Sequence, residues 1–383
     1  MNSLRRLFSP VAAVALATGT LFATAPIAAA GTPAAELAAD TPAAEVSLTP
    51  APGTNPKWRA QLEKAKEDPE LADRIVEAHA TSPAMDNLTV PLVILKAKDN
   101  APGRPIMYLL NGADGGQGGA NWVDQSDALH FFANKDVNVV IPMGGAFSYY
   151  SDWVSPGGHD YTPKWETFLT KELPGPLEKT LNANSKRGIV GLSMSATSTL
   201  LLAQHNPGFY DGVGSFSGCA ATESGLGRLA LDATMNRGKG DHDSMWGPTG
   251  SETSRAHDAL QNAKALEALG GNLYVSSATG LPDADTLLSG KYIGSNFANL
   301  ETVVLEGGVI EGATNACTHD LKAKMDSYGI PAHWAFRPTG AHTWLFWERD
   351  LRDSWPMFAQ ALGVEEGPRI PTRYDVPLTT MGS

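Results

Sequence analysis

The sequence predicts an α/β fold, with a mostly parallel central sheet flanked by helices. Three observations lead there. Short runs rich in Val, Ile, Tyr and Phe alternate with segments of helical spacing along most of the chain, and strands that alternate with helices pair in parallel. One such run ends in a glycine, a sharp turn and then a helical segment, so that strand and helix meet at a single apex, Ser193. Composition agrees: 42% hydrophobic against 18% charged residues over 383 positions supplies one large or two ordinary buried cores.

Taken in order, the first thirty residues read as a secretory signal. Arg5 and Arg6 precede an apolar stretch from Val11 to Phe22, and Ala28-Ala29-Ala30 offers a small-residue cleavage site before Gly31. That stretch is short of the roughly 20 residues that span a bilayer, and no later stretch is apolar enough, so no membrane span is expected and the protein is read as secreted. Residues 31–55 are rich in Ala, Pro and Thr and read as a disordered linker. In residues 56–81, Trp58, Leu62, Ala65, Leu71, Ile75 and Ala78 recur at roughly helical spacing, predicting an N-terminal extension of one or two helices broken near Pro69. The main body runs from 82 to 363. Strands are expected at 88–96, 104–111, 136–142, 187–191, 212–217, 272–278 and 333–337. Helices are expected near 122–134, 163–182, 194–206, 256–269, 315–328 and 344–362. Residues 219–256 form a long insertion between two strands, of the kind that covers a site. A short tail, 364–383, follows.

The net charge of −12, with no basic run after the first few residues, excludes a nucleic-acid partner. Cys219 and Cys317 allow at most one disulfide. Both follow segments that run to the same edge of the sheet, and an exported chain keeps such a bond, so a bridge is favoured over two buried thiols.

At the apex stands Gly191-Leu192-Ser193-Met194-Ser195, a Gly-x-Ser-x-Gly nucleophile elbow whose last glycine is a serine. Small neighbours let strand and helix close on a strained serine that presents its Oγ. The same residues also fit a serine that merely caps a helix. A catalytic serine further needs a base, an acid to orient the base and donors for the oxyanion. In the α/β-hydrolase fold these follow in the order Ser, acid, His. Of nine histidines, His342 lies in the Gly-containing loop between the last strand and the last helix, where this fold puts its base. His333 lies in a strand and His319 on a helix face, while His205, His242 and His257 come too early. Asp283, Asp285, Glu306, Glu311 and Asp320 all remain open as the acid. The oxyanion donors are expected from the Met194 N–H and, in the loop Asn111-Gly112-Ala113-Asp114-Gly115-Gly116, from Ala113. That loop lacks the lysine and spacing of a phosphate cradle. No pair of His or Cys has metal-ligand spacing, so neither a metal nor any cofactor is expected.

The chain resembles the secreted mycoloyltransferases of mycolate-bearing bacteria, above all the corynebacterial type, and the related antigen 85 proteins. Ser82-Pro-Ala-Met, Tyr149-Tyr-Ser-Asp-Trp153, Lys164-Trp-Glu-Thr-Phe-Leu-Thr-Lys-Glu-Leu173, Gly191-Leu-Ser-Met194, Phe216-Ser-Gly218, Ser244-Met-Trp-Gly-Pro248 and Gly340-Ala-His-Thr-Trp344 carry the resemblance, in register from 82 to 362. It implies a triad of Ser193, a glutamate and His342. The family glutamate opens a Glu-Gly-x-Thr segment, which Glu311-Gly-Ala-Thr314 matches, with Glu306 in reserve. The family binds trehalose through the oxyanion loop, where its usual Asp and Arg are replaced here by Asn111 and Asp114. Trp344 and Trp246 are further candidates for contact with sugar or acyl chain, Trp246 as readily for packing. The implied reaction is acyl transfer from trehalose monomycolate to another trehalose monomycolate or to a cell-wall arabinan, in association with the cell envelope. A secreted ester hydrolase and a non-catalytic host-binding adhesin are the alternative readings.

Overall fold

The computed structural model describes residues 41–223, 225–282 and 306–370. The segment read as a signal, the first part of the expected linker, the end of the tail and the carboxylates Asp283 and Asp285 lie outside the described residues.

All seven expected strands form. They are β3 (Leu88–Leu95), β4 (Ile106–Leu109), β5 (Asn138–Pro142), β6 (Arg187–Leu192), β7 (Gly212–Phe216), β8 (Leu273–Ala278) and β9 (His333–Arg337). Two more precede them, β1 (Glu45–Ser47) and β2 (Ile75–Ser82). The sheet order is β1-β2-β3-β5-β4-β6-β7-β8-β9. From β5 to β9 every pair is parallel, whereas β1, β2 and β3 join antiparallel to one another and β3 antiparallel to β5.

The N-terminal extension therefore differs from its expectation. A helix, α1 (Trp58–Ala65), forms as the spacing predicts, but Ile75 and Ala78 belong to β2, which pairs with β3 along its whole length. Three residues of the expected linker add β1 to that edge. Ala-, Glu- and His-containing sequence such as Ile75-Val-Glu-Ala-His-Ala is a poor strand former by propensity, and tertiary pairing overrides it.

Strand side chains alternate between two apolar clusters, one on each face of the sheet. Ile106, Tyr108, Val140 and Ile189 join Leu200–Leu202 of α6 (Met194–His205) and the aromatic group of Trp153, Trp165 and Phe168. Met107, Leu109, Val139, Ile141 and Val190 join Phe131, Phe132, Trp355 and Phe358 on the other side. This is the period-2 pattern of strands buried on both faces. Phe358 belongs to the last helix, Trp344–Leu362. It lies so close that a Cβ on Gly212 would stand 2.9 Å from its ring, so a bare backbone is needed for that helix to reach the sheet.

The helices mostly fall where expected, with broken ends. The segment near 122–134 divides into α2 (Trp122–Gln125) and α3 (Ala128–Phe132). The segment 163–182 divides into a single turn, α4 (Trp165–Thr167), a wide turn over Phe168–Glu172, and α5 (Pro174–Leu181). The insertion holds three helices, α7 (Gly225–Arg237), α8 (His242–Trp246) and α9 (Glu252–Ala256), and the expected helix at 256–269 is only a tight turn of helix over Ala263–Leu269. Two long helices close the chain, α10 (Gly307–Tyr328) and α11 (Trp344–Leu362). Thus α10 begins well before the expected 315 and takes in Glu311.

Candidate active site

Ser193 sits between β6 and α6 with φ 55° and ψ −122°, a conformation costly for any residue with a side chain. Its neighbours explain how the turn closes. A Cβ on Gly191 would lie 2.2 Å from the Ser195 carbonyl oxygen, so only glycine fits there. Ser195, by contrast, uses its extra atom: its Oγ accepts from the Leu192 N–H at 2.9 Å and lies 3.0 Å from the Leu192 carbonyl. The serine that replaces the motif's last glycine thus ties the turn together from inside.

Two side chains from distant segments line up behind that Oγ. His342 Nε2 is 2.8 Å from Ser193 Oγ, and His342 Nδ1 is 2.8 Å from Glu311 Oε2. The Glu311 side chain is 1% exposed and that of His342 9%. The other oxygen of Glu311 accepts from the Ala278 N–H at 2.7 Å and from Ser217 Oγ at 2.9 Å. A buried carboxylate needs such partners. Ser217 in turn accepts from the indole N–H of Trp347 at 3.1 Å, and Trp347 meets the His342 ring edge-on at 4.9 Å. The His342 N–H donates to the Gly307 carbonyl, so the first turn of α10 holds the histidine loop as well as presenting Glu311. Ser217 and Trp347 were not singled out in the sequence. The one signal for Ser217 is its place directly after β7, in Phe216-Ser-Gly218.

Glu306, the reserve acid, is exposed and lines the cleft but makes no bond to His342. Asp320 lies on the exposed side of α10.

The loop after β4 packs on the elbow. A Cβ on Gly112 would stand 3.1 Å from the Leu192 side chain and 3.8 Å from Ser193 Cβ. The carbonyl of Ala113 is pinned by the Phe147 N–H at 2.7 Å. The Met194 N–H opens α6, where helix N–H groups lack intrahelical partners. Ala113 and Met194 both line the cleft with Ser193 and His342. That cleft has a volume of about 680 Å³, and its walls come from Leu231, Thr234 and Arg237 of α7 and from Val309, Ile310 and Thr314 of α10.

The four residues expected to touch substrate are placed otherwise. Asn111 is fully buried: its Nδ2 donates to the Pro142 carbonyl and its Oδ1 accepts from the Trp122 N–H, so its amide holds two loops together. The Asp114 carboxylate accepts from Gly116 N–H within its own loop. Trp246 is fully buried, donates to Ser151 Oγ and stacks on His257, so it is packing beneath the insertion and not a wall of the cleft. Trp344 packs edge-on against Trp122 and Trp347 and backs the histidine loop without lining the cleft. The resemblance suggested contact for Asn111 and Asp114 and nearness to the base suggested it for Trp344, whereas Trp246 was as readily expected to pack; none of these signals says which way a side chain turns. Cys219 and Cys317 are joined as a disulfide that ties the loop after β7 to α10.

A mostly parallel sheet with a strained serine at a strand-to-helix turn, backed by a histidine and a buried glutamate, is the arrangement of an α/β-hydrolase. The chain belongs to the esterase family, whose model matches residues 93–358, and within it stands near the antigen 85 proteins. It is 30% identical over 273 residues to diacylglycerol acyltransferase/mycolyltransferase Ag85C of Mycobacterium leprae, covering 70% of this chain and 78% of that one. It is 31% identical over 272 residues to the Ag85A protein of the same organism, covering 69% and 77%. Among solved structures, Mycobacterium tuberculosis MPT51 (FbpC1) superimposes with a TM-score of 0.59 at 24% identity over 74% of this chain and 95% of that one. An S-formylglutathione hydrolase from Agrobacterium tumefaciens does so at 0.53 and 15% identity, over 76% and 96%. These two likenesses concern the fold. Among the described residues no helix is long and apolar enough to cross a membrane.

Proposed function

We propose that this chain is a serine-dependent acyltransferase that moves a mycoloyl group from trehalose monomycolate to a second trehalose monomycolate or to a cell-wall arabinan hydroxyl. The observation that carries the reading is the unbroken relay from Ser193 Oγ through His342 to Glu311, at 2.8 Å on each side of the imidazole. The names of the mycobacterial relatives, diacylglycerol acyltransferase/mycolyltransferase, support mycolyl transfer, and the resemblance noted above supplies trehalose and arabinan.

In the first half-reaction His342 takes the Ser193 proton as Oγ attacks the ester carbonyl. The tetrahedral oxyanion is met by the N–H groups of Ala113 and Met194, each worth about 2.7–4 kcal/mol in such a site. Collapse breaks the ester bond, the imidazolium returns its proton to the sugar oxygen, and trehalose leaves. Glu311 holds the imidazole tautomer and offsets the imidazolium charge. In the second half His342 takes the proton of an acceptor hydroxyl as its oxygen attacks the acyl carbonyl; the bond to Ser193 Oγ breaks, and the imidazolium returns its proton to Oγ, restoring the free enzyme. Leu231, Val309 and Ile310 give the cleft an apolar wall suited to an acyl chain. An envelope location after cleavage near Ala30 is part of the same proposal.

The test is intact-mass spectrometry with lipid product analysis on the mature protein given trehalose monomycolate, beside Ser193→Ala. Acyl-enzyme and trehalose dimycolate, both absent from the variant, are expected. Free mycolic acid as the main product in the presence of acceptor would make the protein a hydrolase. Absence of both adduct and product would overturn the reading.

A further inference from the structure

Three side chains that acyl transfer leaves unused meet at the far end of the nucleophile helix. Glu166 stands in the single turn α4, His205 is the last residue of α6, and His257 directly follows α9 at the end of the insertion. One ligand-type atom from each lies within 4.8 Å of the others.

The hydrogen bonds on the outer side of these groups fix what faces inward. His205 Nε2 is 2.9 Å from the Ala256 carbonyl. A carbonyl only accepts, so Nε2 carries the hydrogen, and Nδ1, 2.9 Å from Glu166 Oε2, is left for a second proton or a metal ion. His257 Nδ1 is 2.8 Å from the Thr253 carbonyl and donates to it, which leaves Nε2 as the nitrogen that carries a lone pair, in a residue that is 8% exposed. Glu166 Oε1 is held by Asn206 Nδ2 at 2.9 Å, turning Oε2 to the histidines. Two imidazoles and a carboxylate, each oriented by a partner on its outer atom, is how proteins hold the ligands of a metal. Trp246, stacked on His257 with ring centroids 4.8 Å apart, keeps that ring in place.

We propose that Glu166, His205 and His257 form a zinc site, completed by water, that fastens the insertion to α4 and α6. Two nitrogens and one carboxylate suit Zn²⁺ better than the oxygen-seeking Ca²⁺ or Mg²⁺. Bonds of about 2.0–2.1 Å set tetrahedral ligands about 3.3 Å apart, so loading draws the widest pair together by about 1.5 Å. The Glu166 and His205 side chains are 17% and 21% exposed, which gives an ion a way in from solvent and Glu166 room to turn. The role is structural. The whole of α6, about 18 Å at 1.5 Å per residue, separates the site from Ser193. Helical spacing could not reveal it, because the ligands come from three separate segments.

The experiment uses tag-free mature protein, stripped with EDTA, exchanged into buffer, given zinc and passed over a sizing column before native mass spectrometry. One retained zinc per chain is expected, together with a raised Tm. Cobalt in its place should give the intense visible absorption of a four-coordinate ion. His257→Ala and Glu166→Gln should each weaken binding at least about 10-fold and abolish the zinc-dependent rise in Tm. Labelling of Ser193 by a fluorophosphonate probe verifies that each variant is folded. If His257→Ala does not fold, Glu166→Gln and the unaltered protein decide the matter. No retained zinc in the unaltered protein overturns the proposal in favour of a His205–Glu166 ion pair. Equal retention by both variants overturns it too, by placing the metal elsewhere.

Discussion

The two walls of the cleft are built in different ways. The wall that carries the relay is set by backbone: Ser193, Ser217 and Ala278 leave the ends of adjacent parallel strands, and Glu311 and His342 are locked to them by bonds across 94, 33 and 31 residues of chain. The insertion opposite is assembled mostly from its own residues. Asp241 and Ser251 cap its short helices, the Asp258 carboxylate gathers the N–H groups of Thr222 and Glu223, and the Glu223 carboxylate gathers Gly250 and Ser254. It joins the body through the Cys219–Cys317 bond, Trp246 on Ser151, the backbone pairs of Val154 with Met245 and Ser155 with Ser244, His205 on the Ala256 carbonyl, Thr197 on Cys219, and the burial of Leu231, Met235, Met245 and Trp246 in the main core. On the proposed function, the first wall would carry the chemistry, and the second would set which substrate fits and how much water enters. Local stability differs in the same way between elements with dense long-range bonds and those with few.

Substitutions on the first wall should cost turnover, and those on the second should change selectivity. The largest effect is expected from Ser193→Ala, a loss of about 10⁴-fold or more in transfer with an unchanged circular dichroism spectrum. A rate close to wild type would remove the relay from the mechanism. Glu311→Gln keeps the shape but reverses the preferred tautomer of His342, and should lower kcat by about 10⁴-fold with KM little changed. Opening the disulfide with Cys219→Ser and Cys317→Ser should lower stability by about 2–5 kcal/mol in denaturant titration. It should also raise the ratio of free acid to transferred acid, because it loosens the attachment of the second wall while leaving Ser193 reactive toward a phosphonate probe. An unchanged ratio would show that the attachment of the insertion does not control water entry. Ser217→Ala removes one of the two partners of Glu311 Oε1 and should cost about 1–3 kcal/mol of stability or the corresponding rate. Ser195→Gly, which restores the motif's usual residue, should be the mildest, at about 1 kcal/mol in stability and with transfer retained.

Legibility in the sequence followed how local each signal is. Ser193 was readable because strand, turn and helix lie within one short segment, and His342 because a single loop between strand and helix contains it. Glu311 was one carboxylate among several until the Glu-Gly-x-Thr resemblance singled it out, since nothing nearby in the chain reveals that Ser217 and Ala278 wait for its second oxygen. The parallel strands were found from their β-branched runs. The edge was missed because Ile75 and Ala78 fit helical spacing as well as they fit β2, and only pairing with Leu95 and Leu92 decides between the two. Asn111, Asp114, Trp246 and Trp344 were drawn toward the substrate by motif, yet the first and third are fully buried and the other two turn into their own surroundings.

Ser193 precedes its base by 149 residues. Ribosomes add roughly 5–20 residues each second, so the serine exists for on the order of ten seconds before His342 has been made. The loop of His342 follows β9, so it is the last part of the relay to be made. A chain interrupted anywhere before that carries a serine with no base. If Ser193 acts as proposed, activity is withheld during biosynthesis by the order of the segments themselves, and a nascent or truncated copy would have no means of acylating whatever it meets.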